Sequence, residues 1–313
     1  MVWLVDIRGM IKAISGFAWI YLLAGLASLA LDYAARIARW RMMLSAAGAQ
    51  VSIRGCAAAF LGSVALNNIL PARLGDVVRA LVFPAAIGVT KTISTGSLVM
   101  ERLVDLATIL VFLIGGIATF GSTELPAGIR TSAIILAAVS SIALLGLFLF
   151  SGALSELCRR AVTRNFGRYD LSMKRLLVTL AGLFGSFEAM SRPRTLVGLF
   201  FLSVVIWAGE AGLFWALLVG FGFPAGPAAA AITMAIATLA TLVPSSPGYV
   251  GPFHLAAFAA ISMLGGQPDQ AASFAVLAHA ALWLPTTAVG LLFILINPSL
   301  FAADKLSSAA KAT

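Results

Sequence analysis

Residues 131–150, TSAIILAAVSSIALLGLFLF, hold no charged side chain over a length at which one helix crosses a hydrocarbon layer about 30 Å thick. The run is apolar on every side instead of alternating apolar with polar positions, so it reads as a lipid-exposed helix and not as a barrel strand. Residues 14–31, 196–220 and 271–296 read the same way, as does 92–120 beyond a charged first half. With 61% hydrophobic and only 11% charged residues, the 313-residue chain lacks the polar surface of a wetted globule. The expected fold class is all-α, a polytopic membrane protein, with residues 1–313 forming a single integral membrane domain.

Directly after 131–150 comes the richest basic stretch: Arg159, Arg160, Arg164, Arg168, Lys174, Arg175, Arg192 and Arg194. A short loop of that charge stays in the cytoplasm, so 131–150 runs inward and 92–120 outward, with Glu124 and Pro126 outside and Lys91 inside. The net charge of +9 therefore reads as topology and not as nucleic-acid binding. Within the basic stretch, residues 173–187 place apolar side chains at helical spacing, either as a helix in the membrane interface or as a cytoplasmic helix packed on the bundle. Residues 14–31, flanked by Arg36, Arg39 and Arg41, read as a stop-transfer anchor and not as a cleaved signal. Lys305 and Lys311 put the C-terminus in the cytoplasm.

Two apolar runs are too short to cross. Residues 56–66 stop at Asn67-Asn68-Ile69-Leu70-Pro71, and residues 228–243 stop at Pro244-Ser245-Ser246-Pro247-Gly248. Each predicts a re-entrant hairpin. The layout is a first half, 1–150, with a re-entrant segment at about 55–83; a basic linker, 151–194; and a second half of opposite orientation, 195–313, with a re-entrant segment at about 228–265. That makes five full spans and two hairpins, with the N-terminus outside. Interrupted segments at matching places in inverted halves point to a transporter; the alternative is helix breaks whose freed backbone groups are satisfied by neighbouring helices.

The first break carries Arg73, Asp76 and Arg79 at steps of three, one face of a helix. The span behind it opens with Glu101, Arg102 and Asp105. Each charge is costly against lipid, so the group must face protein, water or one another. Three arginines match three acids, so mutual pairing is one reading; direct contact with a phosphate, which a guanidinium holds bidentately, is the other. In the second half the Pro244, Ser245, Ser246, Pro247, Gly248 and Gly251 stretch offers backbone donors and hydroxyls at membrane depth, or else forms an external turn. Glu210 and His279 are intramembrane ionisable groups that invite a proton relay, and His254 reads as interfacial. Cys56 and Cys158 lack metal or redox spacing, and no phosphate loop, nucleophile elbow or zinc motif is present. No metal or cofactor is expected.

With these residues in view, the chain resembles the transmembrane region of the lysylphosphatidylglycerol synthase family, the membrane part of multiple peptide resistance factors. The resemblance rests on Asn68-x-x-Pro71-x-Arg73-x-Gly75-Asp76-x-x-Arg79, then Glu101-Arg102-x-x-Asp105, then Pro244-x-x-Pro247-Gly248-x-x-Gly251. It spans roughly residues 35–296 and is similar to a freestanding branch associated with hopanoid biosynthesis. It implies a lipid-translocating module with paired re-entrant elements. The family's aminoacyl-transferase domain has no counterpart in these residues, and Pro252-Phe253-His254 stands where an acidic residue usually follows. The resulting expectation is a non-enzymatic flippase for a polar-headed, phosphate-bearing lipid in the bacterial inner membrane. Its site would comprise Asn67, Asn68, Pro71, Arg73, Asp76, Arg79, Glu101, Arg102, Asp105, Glu210, Pro244, Ser245, Ser246, Pro247, Gly248, Gly251 and His279. The alternatives are a lipid-modifying membrane enzyme, with Glu210, His279 or Glu101 as acid or base, and a scaffold that docks lipid-biosynthesis enzymes on its basic loop.

Overall fold

The computed structural model describes residues 7–120, 127–164, 171–242 and 246–302, and among these the chain forms helices and no strand. In chain order they are α1 (Ile7–Ser15), α2 (Trp19–Ala46), α3 (Ile53–Ile69), α4 (Leu74–Leu81), α5 (Phe83–Ala86), α6 (Lys91–Phe120), α7 (Ala127–Arg164), α8 (Leu171–Met190), α9 (Pro193–Gly220), α10 (Pro227–Ala240), α11 (Pro252–Met263) and α12 (Pro268–Ile296). Glu124, Pro126, Arg168, Pro244, Ser245, Lys305 and Lys311, all named by the sequence reading, lie outside the described residues.

Local signals set these boundaries. Pro193, Pro227, Pro252 and Pro268 each open a helix, where a missing N–H costs nothing and the fixed φ is already helical. Ser52 caps α3 by accepting from the Gly55 amide at 3.1 Å. Helices α2, α9 and α12, at 28, 28 and 29 residues, are long and apolar enough to cross a membrane. Ile20, Ile142, Val197, Phe201 and Leu295 stand outward and exposed, as a lipid solvent allows. The protein is an all-α, multi-pass membrane protein.

Three boundaries differ from expectation. The anchor placed at 14–31 is interrupted at residues 16–18, and the long helix instead runs Trp19–Ala46. It carries Asp32, Arg36 and Arg39 inside the fold, where the sequence reading puts the two arginines in a cytoplasmic flank. Acidic partners on other helices remove the cost that made burial implausible. The expected linker at 151–194 begins inside α7, which continues unbroken to Arg164. Helix α8 packs on α7 and the start of α6: Ser155 Oγ donates to the Ala181 carbonyl at 2.9 Å, and Gly96 abuts Ser186. Met173, Leu176 and Val178 on α8 remain exposed.

Helices α2 and α9 form the most extensive pair. Phe17 meets Gly220, Gly25 meets Leu213, Ser28 meets Gly209 and Gly212, and Met42 meets Gly198, so the two run antiparallel. Small residues let the backbones close up, and Ser28 Oγ donates to the Gly209 carbonyl at 2.8 Å. Helix α3 lies antiparallel on α12, with Gly62 against Ile294 and Gly290 against Leu61 and Ala65. Two buried apolar clusters, one centred on Phe214 and Phe274 and the other on Trp40 and Phe60, both pack against Tyr33.

Candidate functional site

The α3–α4 and α10–α11 breaks have the same local form. Each is a single short 3₁₀ turn that opens on proline, Pro71–Arg73 and Pro247–Tyr249. Each holds two consecutive residues at positive φ, Ala72 and Arg73 (54° and 53°) and Gly248 and Tyr249 (68° and 60°). The sequences align as Pro71-Ala-Arg-Leu-Gly75 and Pro247-Gly-Tyr-Val-Gly251, a correspondence that the two stretches, read separately, do not announce. The turns touch each other. Arg73 donates to the Thr241 carbonyl at 3.0 Å and to its Oγ1 at 3.1 Å, and its guanidinium lies 5.3 Å from the centre of the Tyr249 ring.

Around this junction lies a cavity of about 340 Å³ lined by Arg36, Asn68, Arg73, Arg102, Asp105, Trp207, Glu210, Thr241, Gly248, Tyr249, His279 and Trp283 among others. A second, of about 140 Å³, shares Arg36, Asn68, Arg73, Arg102 and Tyr249 with it and adds Asn67, Asp76, Arg79 and Glu101. Most of the charged candidates from both halves therefore come to one place. Pro71, Ser246 and Gly251 line neither cavity, and Pro247 faces an apolar groove with Asn68, His279 and Trp283.

The breaks are pinned by their own amides. Asn67 accepts from the Asp76 amide at 3.0 Å and donates to the Asp76 carboxylate at 2.9 Å, folding α4 back on α3. A side chain on Gly75 would collide with the Ser63 carbonyl and the Asn67 amide. Asn68 donates to Thr287 at 2.9 Å and Thr286 at 3.1 Å, while its carbonyl accepts from Trp283 Nε1 at 3.2 Å. Gly248 is buried against the Trp283 indole, and its carbonyl accepts from His279 Nε2 at 2.7 Å.

Pairing among the charges differs from the three-against-three set. Arg79 holds Glu101 through both terminal nitrogens, at 2.8 and 3.2 Å, and Arg102 holds Asp76 at 2.7 Å. Asp105, however, pairs with the buried Arg39 at 2.7 Å and also accepts from Trp207 Nε1 at 3.2 Å. Arg73 has no carboxylate within ion-pairing distance among the described residues. Glu210 bonds Arg36 at 2.8 Å and accepts from Thr238 at 2.8 Å, so it is not paired with His279. His254, read as interfacial, lies 4.6 Å from the His279 ring, centre to centre.

Compared with known proteins, residues 1–290 match the lysylphosphatidylglycerol synthase TM region. The chain belongs to that family. It is also 31% identical over 245 residues to the glycosyltransferase AglD of Haloferax volcanii, a match that covers 68% of this chain and 39% of that protein. The chain thus spans well under half the length of that relative. Family and fold together identify a multi-pass membrane protein of a family named for the membrane region of a lipid synthase.

Within this family member, sequence reading missed Asp32, Tyr33, Arg36, Arg39, Trp207, Thr238, Thr241, Tyr249 and Trp283. One signal was present: Asp32 and Arg36 stand four apart in an otherwise apolar stretch, the spacing of a helical ion pair, and they bond at 2.6 Å. Thr241 and Tyr249 lie in the helix-breaking stretch of the second half, but nothing local marked them as partners of Arg73, which they become only through the touching of two distant turns. Chemically the cavity offers guanidinium forks, an aromatic face and hydroxyls, a set suited to binding an anionic oxygen cluster.

Proposed function

We propose that this protein is a lipid flippase that moves a polar-headed, phosphate-bearing lipid across the bacterial inner membrane, with its C-terminus in the cytoplasm. Arg73 carries this reading. It reaches the junction between the two helix breaks, lines both cavities, and has its charge uncommitted to any carboxylate among the described residues. A buried lock would pair it, whereas a ligand site leaves the fork available.

The proposal includes two inverted halves with re-entrant elements at about 55–83 and 228–265. Exchanging α2 with α9, α3 with α10, α4 with α11 and α6 with α12 reproduces the packing: α3 lies on α12 as α10 lies on α6, α4 on α6 as α11 on α12, and α2 on α6 as α9 on α12. Because α2 and α9 are antiparallel, the axis relating such halves runs across the helices, in the membrane plane. Asn67, Asn68, Asp76, Arg79, Glu101, Arg102 and Asp105 from the first half, with Glu210, Ser246, Gly248 and His279 from the second, would shape or border the path.

The test is reconstitution of the pure chain in vesicles with asymmetrically labelled lipid. Redistribution between leaflets supports transport. A chemical change in the head group would instead favour the enzyme reading suggested by the relative's name, and neither result would leave a scaffold for lipid-synthesis enzymes.

A further inference from the structure

Arg39, Arg79 and Arg102 each have one carboxylate at hydrogen-bonding distance, Asp105 at 2.7 Å, Glu101 at 2.8 Å and Asp76 at 2.7 Å, while Asp76 lies 3.8 Å from Arg79 and Glu101 3.8 Å from Arg102. Arg36 has two. Its Nε holds Asp32 at 2.6 Å and its Nη2 holds Glu210 at 2.8 Å. Asp32 is 0% exposed and Glu210 7% exposed, and Asp32 Oδ2 is buried without a hydrogen-bond partner among the described residues. Around the pair stand Tyr33 and Arg39 on α2, Asp105 on α6, Trp207 on α9, Thr238 on α10 and, in the same cavity, His279 on α12. Arg39 is engaged by Asp105, Thr238 donates to Glu210, and His279 donates to the Gly248 carbonyl. Arg73 and Arg102 line the same cavity, but among the described residues Arg36 is the cation within ion-pairing distance of the two acids.

We infer that Asp32 and Glu210 hold one exchangeable proton between them and that this proton is coupled to lipid movement, an inference that rests on the transport role above. Two ionised carboxylates on one guanidinium leave a net negative charge in a poorly solvated interior. Forming one O–H bond on either carboxyl removes that charge. Glu210 lines the cavity and so provides the route for the proton to exchange. An anionic head group that engages Arg36 competes with Glu210 for the guanidinium, so the one shared proton is held more tightly while the head group is bound. By linkage, proton binding and anionic lipid binding favour each other, so lipid affinity rises as pH falls and the two move in the same direction.

Infrared spectra of the purified full chain in detergent, recorded across pH, test the site without transport. The expected result is a protonated-carboxyl C=O band that titrates and is lost in Asp32→Asn and in Glu210→Gln. Each variant leaves Arg36 one carboxylate, so both should fold, and either alone suffices. A band that persists in both variants, or no such band, overturns the site. In vesicles holding fluorescent phosphatidylglycerol, a pH gradient should drive net lipid movement by the native protein and none by Asp32→Asn. Equal movement with and without the gradient overturns the coupling. Movement under no condition counts against the transport role itself, while the infrared titration still decides the proton site.

Discussion

Arg73 distinguishes a ligand role from a structural one. Since its partners are the Thr241 carbonyl and hydroxyl and the Tyr249 ring, Arg73→Ala strands no buried carboxylate among the described residues. We expect normal detergent-extracted yield and thermal stability for Arg73→Ala with loss of lipid redistribution. Arg73→Lys should recover only part, because a point charge replaces a fork. Neutralising Asp105 as well should not rescue it, since Asp105 belongs to Arg39. The matched turns give a second pair of variants. Ala72 already occupies φ 54°, so Ala72→Gly should keep or raise stability, by about 0.5–1 kcal/mol in thermal unfolding. Gly248→Ala, at φ 68° and with its Cβ 2.8 Å from Trp283 Nε1, should lose stability of order 1–3 kcal/mol along with transport.

At the scale of elements, α4 is fixed to α6 by Arg79 with Glu101 and by Arg102 with Asp76. Arg79 is 2% exposed and sandwiched by Trp40 at 5.3 Å and Phe60 at 4.7 Å, so its charge is poorly solvated. Glu101→Gln therefore should destabilise by about 3–5 kcal/mol, read as a lowered unfolding temperature in detergent. Replacing both partners by apolar residues, as in Arg79→Met with Glu101→Leu, should restore much of that loss. Should Glu101→Gln prove as stable as the native chain, the pair does not hold the hairpin to α6. Asp105 and Arg39, joining α6 to α2, follow the same logic.

For the whole molecule, the arrangement fixes sidedness as one quantity. Helix α9 starts beside Arg192 and Arg194, and α2 runs against it, so α1 and the start of α12 belong to the side opposite the basic stretch. Labelling of intact cells should find Arg192→Cys protected and Pro224→Cys reactive toward an impermeant reagent. The reverse pattern would overturn the topology together with the inverted-half proposal. Arg8 and Lys12, together with Arg130 in the first turn of α7, fall on the outer side in this scheme, where the basic residues and the packing pull against each other.

By itself the sequence determined the all-α membrane class, the helix breaks at Pro71 and Pro247, and the family, because hydrophobic length and proline chemistry are local properties that survive without knowledge of neighbours. It also marked Arg79, Arg102, Asp76 and Glu101 as charges that must face protein, water or one another, with mutual pairing and phosphate contact as the two readings. Only the tertiary structure decided which acid meets which base. Asp105 turns to Arg39 and Glu210 to Arg36 because α2 lies antiparallel along α9 and against α6, and partner choice between helices depends on distance in space and not along the chain. The same holds for Tyr249 and Thr241 beside Arg73: each is an ordinary residue until two turns, 176 positions apart at Pro71 and Pro247, are brought into contact.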